Sequence, residues 1–388
     1  MYSNTKTAKR RKYAFVAHWV ETWNIWLRIS NDLQLHPEHA WRWAILWPVA
    51  FVISVILMAG RKACDVVDRF FVNDNLAGEI VVVRFYGYQF MFRQLKLHNR
   101  IRRMILQTVI DTQDSGVEVI GLGALCKDEG LTKGGEWIVN QLGDQLRVPL
   151  VHGDTLTAAA VIQRGRQLIE HYGLEGKPVM LTGSTSKIGR AIALEFARRG
   201  IKVFMYTASP ERFRSIQTEA GDNGHLLVHV DRLELGVEAG LWITGKANKG
   251  TGELLLKVLP RDAVVLNFAV PDPLSPKLLR TRPDVHHFDG GLIGFDPKKS
   301  TLQFNMRLKP GITYACHAGT MVHAAEAWTH NEVGPVQVDQ LEPVWNAALK
   351  NGLDLPILTS FLKPVEFKES FKAQVTCEDD WSLKASGW

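Results

Sequence analysis

A chain of 388 residues is long enough for two or three structural units of about 100 to 200 residues each, so one compact fold is not expected to use it all. The hydrophobic set makes up 46% and charged residues 22%, which excludes wholesale disorder. A formal charge of +6 is mild and gives no ground for a nucleic-acid partner, and Cys64, Cys126, Cys316 and Cys377 show no paired C-x-x-C spacing, which excludes a disulfide scaffold and points to a reducing compartment.

The basic excess gathers at Lys6, Lys9, Arg10, Arg11 and Lys12, ahead of tryptophans at 19, 23, 26, 41, 43 and 47, an interfacial composition. Trp43 to Gly60 is a charge-free run of 18 residues; as a helix it would reach about 27 Å, close to a bilayer core. The run reads as a membrane-associated helix that crosses or lies in the interface, with a buried soluble helix as the alternative. Basic residues flank both ends, so orientation stays open.

Further along, Glu79 to Arg84 reads as a strand, Asn99 to Asp114 as a helix and Val117 to Leu122 as a buried strand. Asp154 is placed to cap a helix over Thr155 to His171. Pro178 to Leu181 is a short apolar strand that runs into the turn Thr182 to Gly189 and then a helix. Strands follow at Ile201 to Tyr206, His225 to Val230, Leu241 to Thr244 and Val264 to Ala269. This alternation predicts an α/β chain with a Rossmann-like, doubly wound parallel sheet and a second α/β substrate domain. The expected division is residues 1–65 for the basic tail and membrane segment, 66–175 for part of the substrate domain, 176–310 for the cofactor domain, and 311–388 for a helical part returning to the substrate domain.

Between strand and helix, Thr182, Gly183, Ser184, Thr185, Ser186, Lys187, Ile188, Gly189 and Arg190 form a turn suited to a dinucleotide pyrophosphate, because glycine lets the backbone approach and the helix N-terminus faces the charge. The middle glycine of the usual spacing is replaced by Ser186. A bare structural turn is the alternative. No acidic residue ends the next strand; Thr207 and Arg212 stand there instead, so NADPH is expected rather than NADH. A Tyr-x-x-x-Lys pair downstream of the turn is missing, which argues against short-chain alcohol dehydrogenase chemistry.

Cys316, His317 and His323 lie in one stretch, where a thiolate beside an imidazole could act as a nucleophile. Glu326 is spaced to orient His323 on a helix, and a small buried cysteine is the bland alternative. The separations of His317, His323 and His330 match no common zinc spacing, so no metal is expected. His286-His287 reads as the end of a strand followed by a loop at the sheet edge.

Four segments carry a resemblance: VHGDTLTAAAVI (Val151 to Ile162), LTGSTSKIGRAIAL (Leu181 to Leu194), ERFRSIQ (Glu211 to Gln217) and the long run from Ala315 to Leu353 that begins ACHAGTMVHAAEAWTH. Together they resemble the C-terminal domain of plant eceriferum wax-synthesis proteins and, more distantly, cyanobacterial long-chain acyl-carrier-protein reductases. The resemblance spans roughly Val117 to Leu355. It implies that Cys316 is an acyl-accepting nucleophile and that Asp154, Thr155 and Thr157 border the substrate. Two departures stand out: Phe268-Ala269-Val270-Pro271-Asp272 replaces the reductases' Gly-Gly-Tyr-Pro-Lys-Asn, and the histidine-rich membrane domain of the plant proteins has no counterpart beyond His36 and His39.

These readings lead to one expectation: a membrane-associated, NADPH-dependent reductase that converts a long-chain acyl-CoA or acyl-carrier-protein thioester to a fatty aldehyde through a Cys316 acyl-enzyme. Membrane lipid and an aldehyde-consuming membrane enzyme are its expected partners. The alternative is a non-catalytic or partner-dependent Rossmann-fold subunit that supports a lipid-modifying or alkane-forming enzyme.

Overall fold

The computed structural model describes residues 10–19, 62–91, 96–245, 251–304 and 308–366, with isolated residues 41, 52 and 306. The elements used below, in chain order, are strands β1 (Arg11–Trp19), β2 (Cys64–Phe71) and β3 (Leu76–Tyr86), helix α1 (His98–Gln113), strands β4 (Val119–Leu122) and β5 (Leu150–Val151), and helix α2 (Asp154–His171). Next come β6 (Val179–Thr182), α3 (Lys187–Arg198), β7 (Val203–Tyr206), α4 (Pro210–Glu219), β8 (Leu227–Val230), β9 (Leu241–Thr244), β10 (Val264–Asn267), β11 (His286–Asp289), β12 (Leu292–Gly294), β13 (Ile312–Tyr314) and α5 (Ala315–Ala325). The chain divides into unit 1, Met1–Thr157 with Leu292–Pro356, and unit 2, Ala158–Gly291 with Ile357–Trp388. The breaks fall after residues 157 and 291 rather than 175 and 310, so the first turn of α2 belongs to unit 1.

Unit 1 is built on a five-stranded sheet in the order β2-β3-β1-β4-β5. Only the edge pair β2 and β3 is antiparallel. β1 is its centre, and the alternation of side chains along a strand explains why. Ala14 and Val16 pack with Ile101, Ile105 and Val109 of α1, while the rings of Tyr13 and Phe15 lie on the opposite side against His317 of α5. A strand covered on both faces reads as a continuous apolar run, and Tyr13 to Ala17 is one. On β4, Gly121 lets α5 come close, since a Cβ there would sit 2.0 Å from Thr320 Oγ1.

This corrects the expected N-terminal segment. Arg11 to Trp19, assigned from its charges and tryptophans to a basic tail, is the buried central strand, and Cys64 opens β2. The run Trp43 to Gly60 lies outside the described residues apart from Val52. Among the described residues, no helix is long and apolar enough to cross a membrane.

Unit 2 holds a six-stranded sheet in the order β11-β10-β9-β6-β7-β8, with every pair parallel. This is the doubly wound order, in which the chain runs outward from β6 to β8, then returns to β9 and runs outward the other way. The Rossmann-like α/β class read from the alternation is therefore the observed one. Its core gathers Trp242, Met180, Val265 and Leu255. His286-His287 opens the edge strand β11 rather than closing one.

Candidate functional sites in the two units

In unit 2 the order reverses between β6 and β9, and such a switch point opens a crevice at the carboxyl ends of the strands. There Thr182 accepts the Gly245 amide through its carbonyl (3.2 Å), and Gly183 turns with φ +65°. Ser186 caps α3 by accepting the Gly189 amide at 3.1 Å. A Cβ on Gly189 would lie 2.3 Å from the Gly183 carbonyl oxygen, so only glycine lets helix and turn approach this closely. Ser184 Oγ donates to the Tyr206 carbonyl at 3.1 Å, tying the turn to β7. Thr185, Lys187 and Ile188 are half-buried.

Past β7, Thr207 Oγ1 accepts the Ser209 amide, and Ser209 caps α4 by accepting the amide of Arg212, whose side chain is exposed. Arg190 pairs with Glu219, which occupies one of the three cations, Lys187, Arg190 and Arg212, expected near a 2′-phosphate. No carboxylate ends β7. The turn, glycines and helix terminus thus fit a dinucleotide.

Three donors of unit 2, from Asp272, His287 and Asp289, lie within 4.8 Å of one another. Each is already engaged. His287 bonds Asp272 at 2.8 Å and Ser360 at 2.9 Å, and Asp289 accepts the amides of Phe361 and Leu362. Phe361 also stacks on the His287 ring at 4.2 Å, so the group ties residues 360–362 to the sheet edge.

In unit 1, Cys316 sits in the first turn of α5, half-buried. Gly153, with φ +66°, presses against it: a Cβ there would lie 2.1 Å from the Cys316 carbonyl oxygen. Burial pushes the Cys316 thiol up; Lys127 pulls it down, Asp154 pushes it up, and the net direction is upward. Lys127 Nζ donates to the His152 carbonyl at 2.8 Å and to Asp154 Oδ1 at 2.5 Å. Burial works against its charge, but Asp154, Cys316 and Glu332 outweigh it and hold its pKa above the ordinary value. Asp154, expected beside the substrate, is thus brought to the cysteine. Thr155 offers its amide to Glu332 (3.2 Å), and Thr157 Oγ1 donates to the Gly153 carbonyl (3.1 Å).

The two histidines expected beside Cys316 go elsewhere. His317 points to the sheet, where its Nε2 bonds the Tyr13 hydroxyl and its Nδ1 the Thr313 hydroxyl, both at 2.9 Å. Burial lowers its pKa to about 3, so it is neutral. Successive helix positions point about 100° apart, which is why Cys316 and His317 part company. His323 donates through Nε2 to the His330 carbonyl (3.0 Å), and its Nδ1 lies 3.9 Å from Glu332, not beside Glu326. Glu326 instead binds Lys350 and Asn351. Sequence reasoning missed Lys127, His152 and Glu332; Lys127 stands in no recognisable motif, whereas His152 and Glu332 fell within segments of resemblance but were not singled out.

A Rossmann-ordered unit with a dinucleotide-type turn, joined in one chain to a second α/β unit bearing a half-buried cysteine and lysine, defines the class. Residues 179–355 match the CER1-like, C-terminal domain. The chain carries the C-terminal domain of the eceriferum wax-synthesis family. It is 34% identical over 309 residues to the very-long-chain aldehyde decarbonylase GL1-2 of Oryza sativa subsp. japonica, a match covering 79% of this chain and 46% of that protein. It is 27% identical over 338 residues to the very-long-chain aldehyde decarbonylase CER1 of Arabidopsis thaliana, covering 82% and 48%. The chain therefore spans about half the length of the curated relatives it matches. A quinone oxidoreductase from Thermus thermophilus aligns at TM-score 0.25 and 15% identity over 35% of this chain and 43% of that one, which adds nothing to the argument from strand order.

These names overturn the expected acyl thioester reductase. The relatives are named aldehyde decarbonylases, whereas the reductase reading made an aldehyde the product.

Proposed function

We propose that this chain works on the aldehyde-consuming, hydrocarbon-forming side of wax synthesis, with unit 1 holding a very-long-chain aldehyde on Cys316 and unit 2 holding NADPH. The relatives' names support the substrate class. The observation that carries the reading is that Lys127 is bonded to the His152 carbonyl and to Asp154 on the turn whose Gly153 packs on the half-buried Cys316. Capture is an addition. The sulfur bonds the aldehyde carbon, the carbonyl π bond opens onto oxygen, Lys127 gives that oxygen a proton, and the thiol proton restores the ammonium. The product is a hemithioacetal, formed with no oxidant and no leaving group.

The turn from Thr182 to Arg190, with Thr207 and Arg212 past β7, would hold the dinucleotide, and the missing carboxylate at the end of β7 favours NADPH. The bound cofactor would supply reducing equivalents. Membrane association through the stretch Trp43 to Gly60 suits a substrate that partitions into lipid.

A [1-13C]-labelled long-chain aldehyde in detergent micelles tests the reading by NMR. The labelled carbon should move from the carbonyl to the saturated region with the wild type and not with Cys316→Ala. An unmoved carbonyl signal with wild-type protein would sink it. Gas chromatography of the same samples, with and without a membrane enzyme partner, tells whether hydrocarbon release needs that partner.

A further inference from the structure

Lys127 meets two fixed acceptors, the His152 carbonyl and Asp154 Oδ1, and both belong to one turn. Gly153 bends that turn, and its α-carbon side is packed on Cys316 and on Gly319, where a Cβ would come within 2.9 Å of Gly153. The aim of the ammonium at the sulfur is therefore only as good as the placement of residues 152–155.

Glu332 holds those residues from the other side. Its carbonyl accepts the His152 amide (2.8 Å), and its own amide donates to the Leu150 carbonyl (2.9 Å). Its carboxylate Oε1 accepts the Thr155 amide at the start of α2 (3.2 Å). His152 is held further: Nδ1 accepts the Asp154 amide at 3.0 Å and Nε2 donates to the Gly334 carbonyl at 3.1 Å. The side chain of His152 is fully buried and that of Glu332 is 14% exposed, so water does not compete for these contacts. Burial opposes ionisation of Glu332, but His152, His323 and the Thr155 amide outweigh it and hold its carboxyl below the ordinary value. A carboxylate at a helix N-terminus is a favourable place for that charge.

We propose that Glu332 is a positioning residue: through the His152–Thr155 turn it aims the Lys127 ammonium at Cys316. The proposal concerns the same centre as aldehyde capture but does not depend on the aldehyde. The charged and polar groups that act on Cys316 are Lys127, Asp154 and the His317 amide, and around Glu332 stand His152, His323 and the Thr155 amide.

The sign of a pH shift separates this role from its rivals. The full chain is alkylated with iodoacetamide across a pH series, and Cys316 is followed by peptide mass spectrometry with the buried Cys126 as internal control. Lys127→Met should raise the midpoint of Cys316 alkylation, because the ammonium favours the thiolate. Glu332→Gln should raise it in the same direction by a smaller amount, slowing alkylation at fixed pH about threefold to tenfold, since one pH unit corresponds to tenfold in thiolate. Loss of the Glu332 charge acting directly on sulfur would lower the midpoint instead. A lowered midpoint, or an unchanged one with a reduced melting temperature, overturns the proposal. Glu332→Asp keeps the charge and shortens the reach; should the Gln variant fail to fold, a raised midpoint in the Asp variant supports the role and an unchanged one refutes it. No aldehyde enters this experiment, so its failure leaves aldehyde capture standing, and failure of capture leaves this result intact.

Discussion

Acidification should loosen unit 1 through His317. In the fold this imidazole is fully buried between Tyr13, Thr313 and the Phe15 ring, and burial lowers its pKa to about 3; in the unfolded chain it returns to about 6.5. The fold therefore favours the neutral form. Its contribution is fully present above the unfolded pKa and is lost as pH falls toward the folded one, because the unfolded chain takes up the proton first. Between pH 7 and pH 5 the loss from this residue is about 2 kcal/mol, rising to about 4 kcal/mol near pH 3. Urea unfolding at pH 7 and pH 5, read by hydrogen exchange in peptides covering Arg11–Trp19 and Ala315–Ala325, measures it. His317→Gln removes the titration, so the pH-dependent part of its stability should shrink by about 2 kcal/mol, whatever its absolute stability. His18, lowered to about 4 by burial, titrates in both proteins and cancels in the comparison. A Gln variant that loses as much stability as the wild type between the two pH values would refute the burial argument.

Two glycines give further tests. Gly153→Ala places a Cβ 2.1 Å from the Cys316 carbonyl oxygen at a left-handed φ; we expect a loss of at least about 3 kcal/mol in denaturant unfolding of unit 1, and a loss under about 1 kcal/mol by this scale would contradict the close approach. Gly189→Ala, with its Cβ 2.3 Å from the Gly183 carbonyl oxygen, should weaken NADPH binding about tenfold or more, or about 1.4 kcal/mol, in a fluorescence titration, while unchanged affinity would remove the turn from the cofactor site.

What could be read from the sequence was local. The turn at Gly183 to Gly189 was legible because glycines, a preceding apolar run and a following amphipathic helix are neighbours in the chain, and strand order then placed it at the switch point. β1 was not. Its Arg11 and Lys12 belong to a basic cluster and its Trp19 to a series of tryptophans, so composition masked the five-residue apolar run that a central parallel strand needs. Lys127 and Glu332 were hidden for a different reason. Lys127 comes to the centre of Cys316 from 189 residues away in the chain and Glu332 to Thr155 from 177, and pairwise spacing carries no trace of such contacts. His317 shows the converse failure, since adjacency to Cys316 suggested chemistry while the helical turn sent its ring into the core.

The centre's chemistry turns on where one proton rests. Burial and Asp154 keep it on the Cys316 sulfur; Lys127 and the His317 amide favour its departure, and the first pair prevails. Thioester exchange and addition to an aldehyde both need the sulfur's proton to leave, but exchange also expels a second thiolate. Addition to an aldehyde releases nothing. The oxygen that develops negative charge needs a donor close by, and Lys127, held protonated by Asp154, supplies it. These electrostatics account for why a lysine, and not the neighbouring histidine, is the cation of this centre: an imidazole buried to this degree loses its proton, while an ammonium paired with a carboxylate keeps its own.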